Sequence, residues 1–283
     1  MPYEDYVGRS LEKEDETSAA LGERLAALFD LPPPPPEAPL FPLSHWCLFQ
    51  DWVRHSELGP DGHPARGAFL PPIHDLPRRM WAGGRIVLHA PLRPGLRLTR
   101  RTTIRSVTEK QGHSGRLVFV TLHHRIAAGA QTLLEEEQDI VYRGLEAPAV
   151  KAAAPAPPPP AGAFQRTLTP DPVLLFRYSA ITGNGHRIHY DLDYVRTIEG
   201  YPGLIVHGPL QASLLADLLF RHLGATPERL TLRFRGVRPA FHGRPLTLIG
   251  WAEGENAYHL EARDDEGAVT MAATAQIHSA HSS

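Results

Sequence analysis

Residues 176–219 read FRYSAITGNGHRIHYDLDYVRTIEGYPGLIVHGPLQASLLADLL, and the last third of that stretch decides the fold. From Pro209 on, Leu210, Leu214, Leu215, Leu218 and Leu219 leave a helix apolar around most of its circumference, a pattern that belongs inside a protein. Proline suits the first helical turn, and Gly224 stops the helix near Leu223. Strand-like segments follow around Leu232–Phe234, at 245–248, 258–263 and Val269–Ile277. A buried helix followed by four antiparallel strands predicts an α+β arrangement, a sheet wrapped around a central helix.

The first half repeats the scheme. Ile86–Leu88 leads into Pro91-Leu92-Arg93-Pro94-Gly95 and the alternating residues 96–101. Leu232–Phe234 leads into Pro239-Ala240-Phe241-His242-Gly243 and a strand in the same way. Segments 116–126 and 132–142 then match 258–263 and Val269–Ile277. A duplicated domain follows, each copy placing helix before sheet: expected helices at 14–29 and 40–53 in the first half, and from Thr169-Pro170-Asp171 to about Ile181 in the second. Residues 147–162, APAVKAAAPAPPPPAG, read as a stiff spacer. The expected organisation is an N-terminal domain over 1–146, the linker over 147–162 and a C-terminal domain over 163–283. The run Pro32–Pro36 reads as a helix stop.

Bulk composition removes several function classes. With 29 basic and 31 acidic residues the chain has no field to recruit nucleic acid or an anionic membrane. The single cysteine, Cys47, precludes an internal disulfide and a cysteine-based metal cluster, and its apolar neighbours make it a packed thiol. The acidic N-terminus has no signal-peptide core, and no apolar run is long enough to cross a bilayer. A cytoplasmic protein is the expectation.

The chemistry gathers in the opening stretch. His189 follows the polar turn Gly183-Asn184-Gly185-His186-Arg187-Ile188, and imidazole takes and returns protons near neutral pH. Gly208-Pro209 opens the buried helix, whose unpaired N–H groups and dipole suit a developing enolate oxygen. Asn184 can hold a water or orient His189 but cannot act as a base. Asp191 can act as one, or can cap a short helix starting near Asp193. Arg187, Arg78 and Arg79 are candidates for holding a carboxylate or phosphate, and His207 joins them as a substrate-binding candidate. His186 with His207 or Asp191 would make a metal set, but the Arg187 charge opposes it, so neither metal nor cofactor is expected.

The segment Thr182-Gly183-Asn184-Gly185-His186-Arg187-Ile188-His189 followed by His207-Gly208 resembles the hydratase motif of the MaoC-like, R-specific enoyl-CoA hydratases. That family's pattern is Ser-Gly-Asp-x-Asn-Pro-Ile-His and then His-Gly. The resemblance implies a double hot-dog fold, a hydro-lyase activity on acyl-CoA thioesters, His189 as the water-activating residue and the Gly208 N–H as oxyanion donor. Asn184 stands where the family has its catalytic aspartate, and His186 where it has asparagine. With SELGPDGHPARGAFLPP (56–72) and PRRMWAGG (77–84), the chain looks like the branch of mesaconyl-C4-CoA (3-methylfumaryl-CoA) and itaconyl-CoA hydratases. That branch is related to the type 2 hydroxyacyl-thioester dehydratases. The first half lacks a His-Gly helix start, which implies that it shapes the acyl pocket. Pairing of sheet edges makes a homodimer the expected assembly. Competing expectations are a fatty-acyl dehydratase, a non-catalytic thioester-binding module and a thioesterase.

Overall fold

The sequence signals around Pro209 and Gly224 produce the central element of the molecule. Helix α4 runs Gly208–Leu223, with Pro209 in its first turn and Gly224 closing it in the left-handed conformation at φ 67°. Every residue from Leu210 to Phe220 is buried, and each fully enclosed leucine contributes roughly 1.5–3 kcal/mol. Asp217 is the charged residue inside this run, and it is neutralised by Arg166 and Arg221, each 2.8 Å away. The computed structural model describes residues 3–65, 69–112, 115–144 and 154–279.

The first half supplies β1 (Ser10–Glu16), α1 (Ala19–Leu28), β2 (Arg78–Leu88), β3 (Arg97–Gly112), β4 (Gly115–Ala128) and β5 (Gln131–Arg143). The second supplies β6 (Phe164–Leu168), α2 (Pro172–Thr182), α3 (Leu192–Thr197), then α4, β7 (Leu230–Gly236), β8 (Leu246–Gly254), β9 (Ala257–Arg263) and β10 (Val269–Ile277). All ten strands join one sheet in the order β1-β3-β4-β5-β2-β7-β10-β9-β8-β6. Read outward from the β2–β7 junction, both halves have the same order, as a duplication requires. The Pro-x-x-x-Gly turns occupy equivalent places, between β2 and β3 and between β7 and β8. At the junction a Cβ on Gly83 would lie 2.5 Å from the Phe234 carbonyl oxygen, so the ladder closes only with glycine there.

Three expectations are corrected. Residues 14–29 are not one helix: Ser10–Glu16 is an edge strand, and helix α1 starts only after Ser18, whose side chain accepts from the Leu21 N–H. The strand wins because Lys13, Glu12 and Glu16 fall opposite Arg100, Arg101 and Arg97 of β3, mostly opposite charges across the ladder. Residues 40–53 form no long helix, only a 3-10 turn at Ser44–Cys47. Pro42 lacks an N–H, and Phe49 takes φ 57°, held there by its N–H bond to Asp15. The second-half helix begins at Asp171-Pro172 rather than Thr169-Pro170. A helix from Pro170 would force Asp171 into the α region directly before a proline, whereas Asp171 is extended and caps Leu174 N–H at 2.7 Å.

The consequence for function is asymmetry. Helix α4 packs against β8, β9, β10 and β2, while the first half has no counterpart of it among the described residues, only α1 and the Ser44–Cys47 turn between β1 and β2. Cys47 is packed in this layer, its thiol pushed up to about 12 by burial. Residues 147–153 of the expected spacer lie outside the described residues. No helix among the described residues is long and apolar enough to cross a membrane.

Candidate active site

Helix α2 ends at Gly183, left-handed at φ 61°, where a Cβ would collide with the Gln50 side chain. The chain then turns on Asn184, whose Oδ1 accepts the His186 N–H at 2.9 Å, and enters a 3-10 turn at Arg187–His189. These local bonds leave little freedom to His189. Its Nδ1–H donates to the Ile205 carbonyl at 2.7 Å, so Nε2 carries the lone pair. The ring is buried and lines a cavity of about 1500 Å³ that draws walls from both halves of the chain. Burial holds the His189 pKa down to about 3, with neighbouring His186 and His63 acting in the same direction. It is therefore a neutral base at neutral pH.

Asn184 and Gly208 line the same cavity. Gly208 is the first residue of α4, so its N–H has no acceptor within the helix. A Cβ built there would meet only the Met271 methyl, at 3.9 Å. The protein itself has room for a side chain at 208, a position in the cavity wall. Base, amide and helix start thus converge on one space, which suits activating a water beside a carbonyl whose oxygen gains charge.

Three of the sequence candidates lie elsewhere. Asp191 caps α3 through the Tyr194 N–H at 3.0 Å, and its Oδ2 takes two bonds from Arg187, at 2.7 and 3.0 Å. Arg187 also donates to the Pro60 carbonyl and lies over the Tyr194 ring. Each satisfies the other, and neither is among the cavity walls. His207 is also set back from the cavity: its ring stacks on His189 at 3.5 Å between centroids, and its Nε2 meets Ser179 Oγ at 2.8 Å. Burial holds the His207 pKa well below the usual value, with His189 adding to the shift. It backs the His189 ring. Arg78 and Arg79 do line the cavity. Arg78 is already bound to the Glu199 carboxylate at 3.0 Å and its carbonyl at 2.9 Å.

Sequence reasoning assigned no role to Asp61 and His63, and the structure places both in the cavity wall. Their loop belongs to the first half but docks on the motif turn. The Arg187 N–H bonds to the Asp61 carbonyl at 2.9 Å, and His63 and His186 have ring centroids 4.2 Å apart. The visible signal was the turn-forming run Gly59-Pro60-Asp61-Gly62-His63-Pro64, which carries chemistry only once the contact is known. Asp61, His63 and His186 bring ligating atoms within 4.8 Å of one another, the spacing of a loose three-ligand cation set. The positive charge of Arg79 acts on the same cluster, lowering the His186 pKa, and opposes a cation there.

The folded shape is that of a double hot-dog. A MaoC-like dehydratase from Phytophthora capsici superposes with a TM-score of 0.71 at 18% identity, covering 98% of this chain and 97% of that one. A Mycobacterium tuberculosis protein described as having a double hot-dog fold superposes with a TM-score of 0.60 at 13% identity, covering 96% of each. These likenesses define the fold as α+β, of the double hot-dog class. The sequence pattern of hydroxyacyl-thioester dehydratase type 2 matches residues 43–242, and the chain belongs to that family. The mesaconyl-C4-CoA hydratase of Chloroflexus aurantiacus is 45% identical over 275 residues, 96% of each chain.

Proposed function

We propose that the chain hydrates a short, branched, dicarboxylic enoyl-CoA, mesaconyl-C4-CoA in the first instance, to citramalyl-CoA. The observation that supports this is the His189 Nδ1–H bond to Ile205, which leaves Nε2 unprotonated on a ring that lines the same cavity as Gly208. His189 takes a proton from a water that Asn184 helps to hold. The hydroxide adds to Cβ, and the Gly208 N–H stabilises the enolate oxygen. Itaconyl-CoA, whose double bond is not conjugated with the thioester, needs a proton shift to mesaconyl-CoA before the same addition.

Charge supports this choice of acyl group. In 3-methylfumaryl-CoA the free carboxylate is bonded to Cβ, so its receptor has to lie close to the attacked carbon. Arg79 meets that requirement: it lines the cavity, acts electrostatically on His186, and makes no ion pair among the described residues. An arginine there suits a bidentate carboxylate contact. Resemblance to the Chloroflexus enzyme supports the same substrate. The family's description favours a second reading, dehydration of 3-hydroxyacyl thioesters of fatty-acid metabolism.

Loss of enoyl-thioester absorbance on adding the protein separates the two. Mesaconyl-C4-CoA, crotonyl-CoA and a long-chain enoyl-CoA are assayed in parallel. Fast loss confined to mesaconyl-C4-CoA is expected; turnover of the straight chains alone would move the protein to fatty-acyl chemistry.

A further inference from the structure

Hydration needs two proton transfers, one from the attacking water and one to Cα. His189 accounts for the first. For the second, the obvious candidates near the motif are unavailable. Asn184 does not ionise, and the Asp191 carboxylate is consumed by Arg187 and by the start of α3. Glu199 is tied to Arg78, and Glu136, also in the cavity wall, is held by His45 at 3.2 Å and Trp46 at 3.0 Å.

Directly beside the motif turn, the loop of the first half that docks against it brings a further imidazole, His63, into the cavity wall. We infer that His63, oriented by Asp61, is the second acid–base residue of the reaction and delivers the proton to Cα. The inference rests on the hydratase reading above and goes beyond it in naming this group. The geometry is that of a carboxylate-supported imidazole. His63 Nδ1–H donates to Asp61 Oδ2 at 3.1 Å, and the His63 backbone N–H donates to Oδ1 of the same carboxylate at 3.1 Å. Burial pushes the Asp61 carboxyl up, but the His63 hydrogen bonds and the charges of His63 and His186 outweigh it and hold the group ionised, well below its usual range. An ionised carboxylate behind an imidazole stabilises the protonated ring, which is the form a proton donor needs.

The position of this loop is fixed by backbone contact. Gly62 has φ +87°, and a Cβ on it would lie 2.0 Å from the Gly185 carbonyl oxygen; a Cβ on Gly185 would lie 2.8 Å from the Gly62 oxygen. Two glycines therefore let a first-half turn touch the catalytic turn main chain to main chain, with Arg187 N–H bonded to Asp61 O and Arg187 Nη1 to Pro60 O. The rings then follow in sequence, His63 to His186 at 4.2 Å and His186 to His189 at 5.7 Å between centroids.

The step balances. A water O–H bond breaks, its proton goes to His189 Nε2, and the oxygen bonds to Cβ while the double-bond pair moves into the enolate. The enolate reforms the thioester carbonyl as Cα takes a proton from His63 in its imidazolium form. His189 then holds one proton too many and His63 one too few. Passage through the intervening His186 ring restores both, so that one water is added and no charge accumulates.

The test is steady-state kinetics of the full chain on mesaconyl-C4-CoA, with His63→Ala, His63→Gln and Asp61→Asn beside wild type and thermal melting as the control for folding. Both His63 variants are expected to lose at least about a hundredfold in kcat with little change in KM. Added imidazole restores part of the His63→Ala activity, and Asp61→Asn displaces the pH profile of kcat. Full activity in folded His63→Gln, which keeps shape but cannot shuttle a proton, would reduce the residue to a structural one and overturn the inference. So would stoichiometric zinc in the purified protein whose chelation abolishes turnover. Wild type inactive on every enoyl-CoA would instead refute the hydratase reading, and this inference with it.

Discussion

Three imidazoles are packed neutral around the site, and acid should unfold the protein through them. His189 and His186 are each held down to about 3 by burial, and His207 is held well below the ordinary value by burial and by His189. In the unfolded chain each titrates near about 6.5. Below that pH the unfolded state binds protons that the folded state refuses, so stability falls as pH falls, through the window from about 6.5 to about 3. At pH 5.5 the loss is on the order of 1 kcal/mol for each of His189 and His186, against almost nothing at pH 7.5, and His207 adds to it in the same direction. Together they remove on the order of a few kcal/mol, a large share of the roughly 5–15 kcal/mol that holds a domain folded. Urea denaturation at pH 7.5 and 5.5, at one ionic strength, reads this directly by linear extrapolation. His189→Asn, which keeps a donor for the Ile205 carbonyl, and His207→Gln, which keeps a polar group for Ser179, should each flatten the drop. The reasoning fails if wild-type stability changes by less than about 1 kcal/mol between the two pH values. It fails equally if either variant retains the full drop.

Two further outcomes follow from the cavity. Gly208→Ala should melt close to wild type, because the new methyl meets only Met271 at 3.9 Å; by obstructing the N–H it should lower kcat by about 10²–10³, and an unchanged kcat would remove the oxyanion role. Arg79→Gln should raise KM for mesaconyl-C4-CoA by about ten- to a hundredfold, the loss of one charge-assisted pair, while leaving crotonyl-CoA unaffected; equal effects on both substrates would exclude a carboxylate contact.

The parts of the fold legible in the sequence were those whose signal is local. Helix α4 carries its own start in Pro209, its own stop in Gly224 and an apolar circumference between them, and β10 coincides with the alternating segment Val269–Ile277. The misreadings came where distant partners decide. Residues 10–16 are a strand because β3 presents arginines to them, and residues 40–53 stay irregular because Asp15, far back in the chain, fixes Phe49. The candidate site divides in the same way. His189, Asn184 and Gly208 sit in one short segment whose residue types announce their chemistry, and they line one cavity. Spacing alone could not tell that Asp191 and Arg187 satisfy each other, or that the His207 ring lies behind His189. Nor could it reveal Asp61 and His63, whose contact with the motif spans more than a hundred residues of chain.

The unequal filling of the two halves has an evolutionary consequence. In a pair of identical subunits every change appears twice, once at each symmetry-related place. A helix shortened in one copy would then also be shortened in the other, beside the motif turn, where α4 carries Gly208 at its start. Joining the copies in one chain, through a ladder shared by β2 and β7, lifts that constraint. One copy can keep the helix and the reactive turn, while the other gives up its helix and offers a loop. Fusion made the halves free to specialise, each in what the other could not surrender.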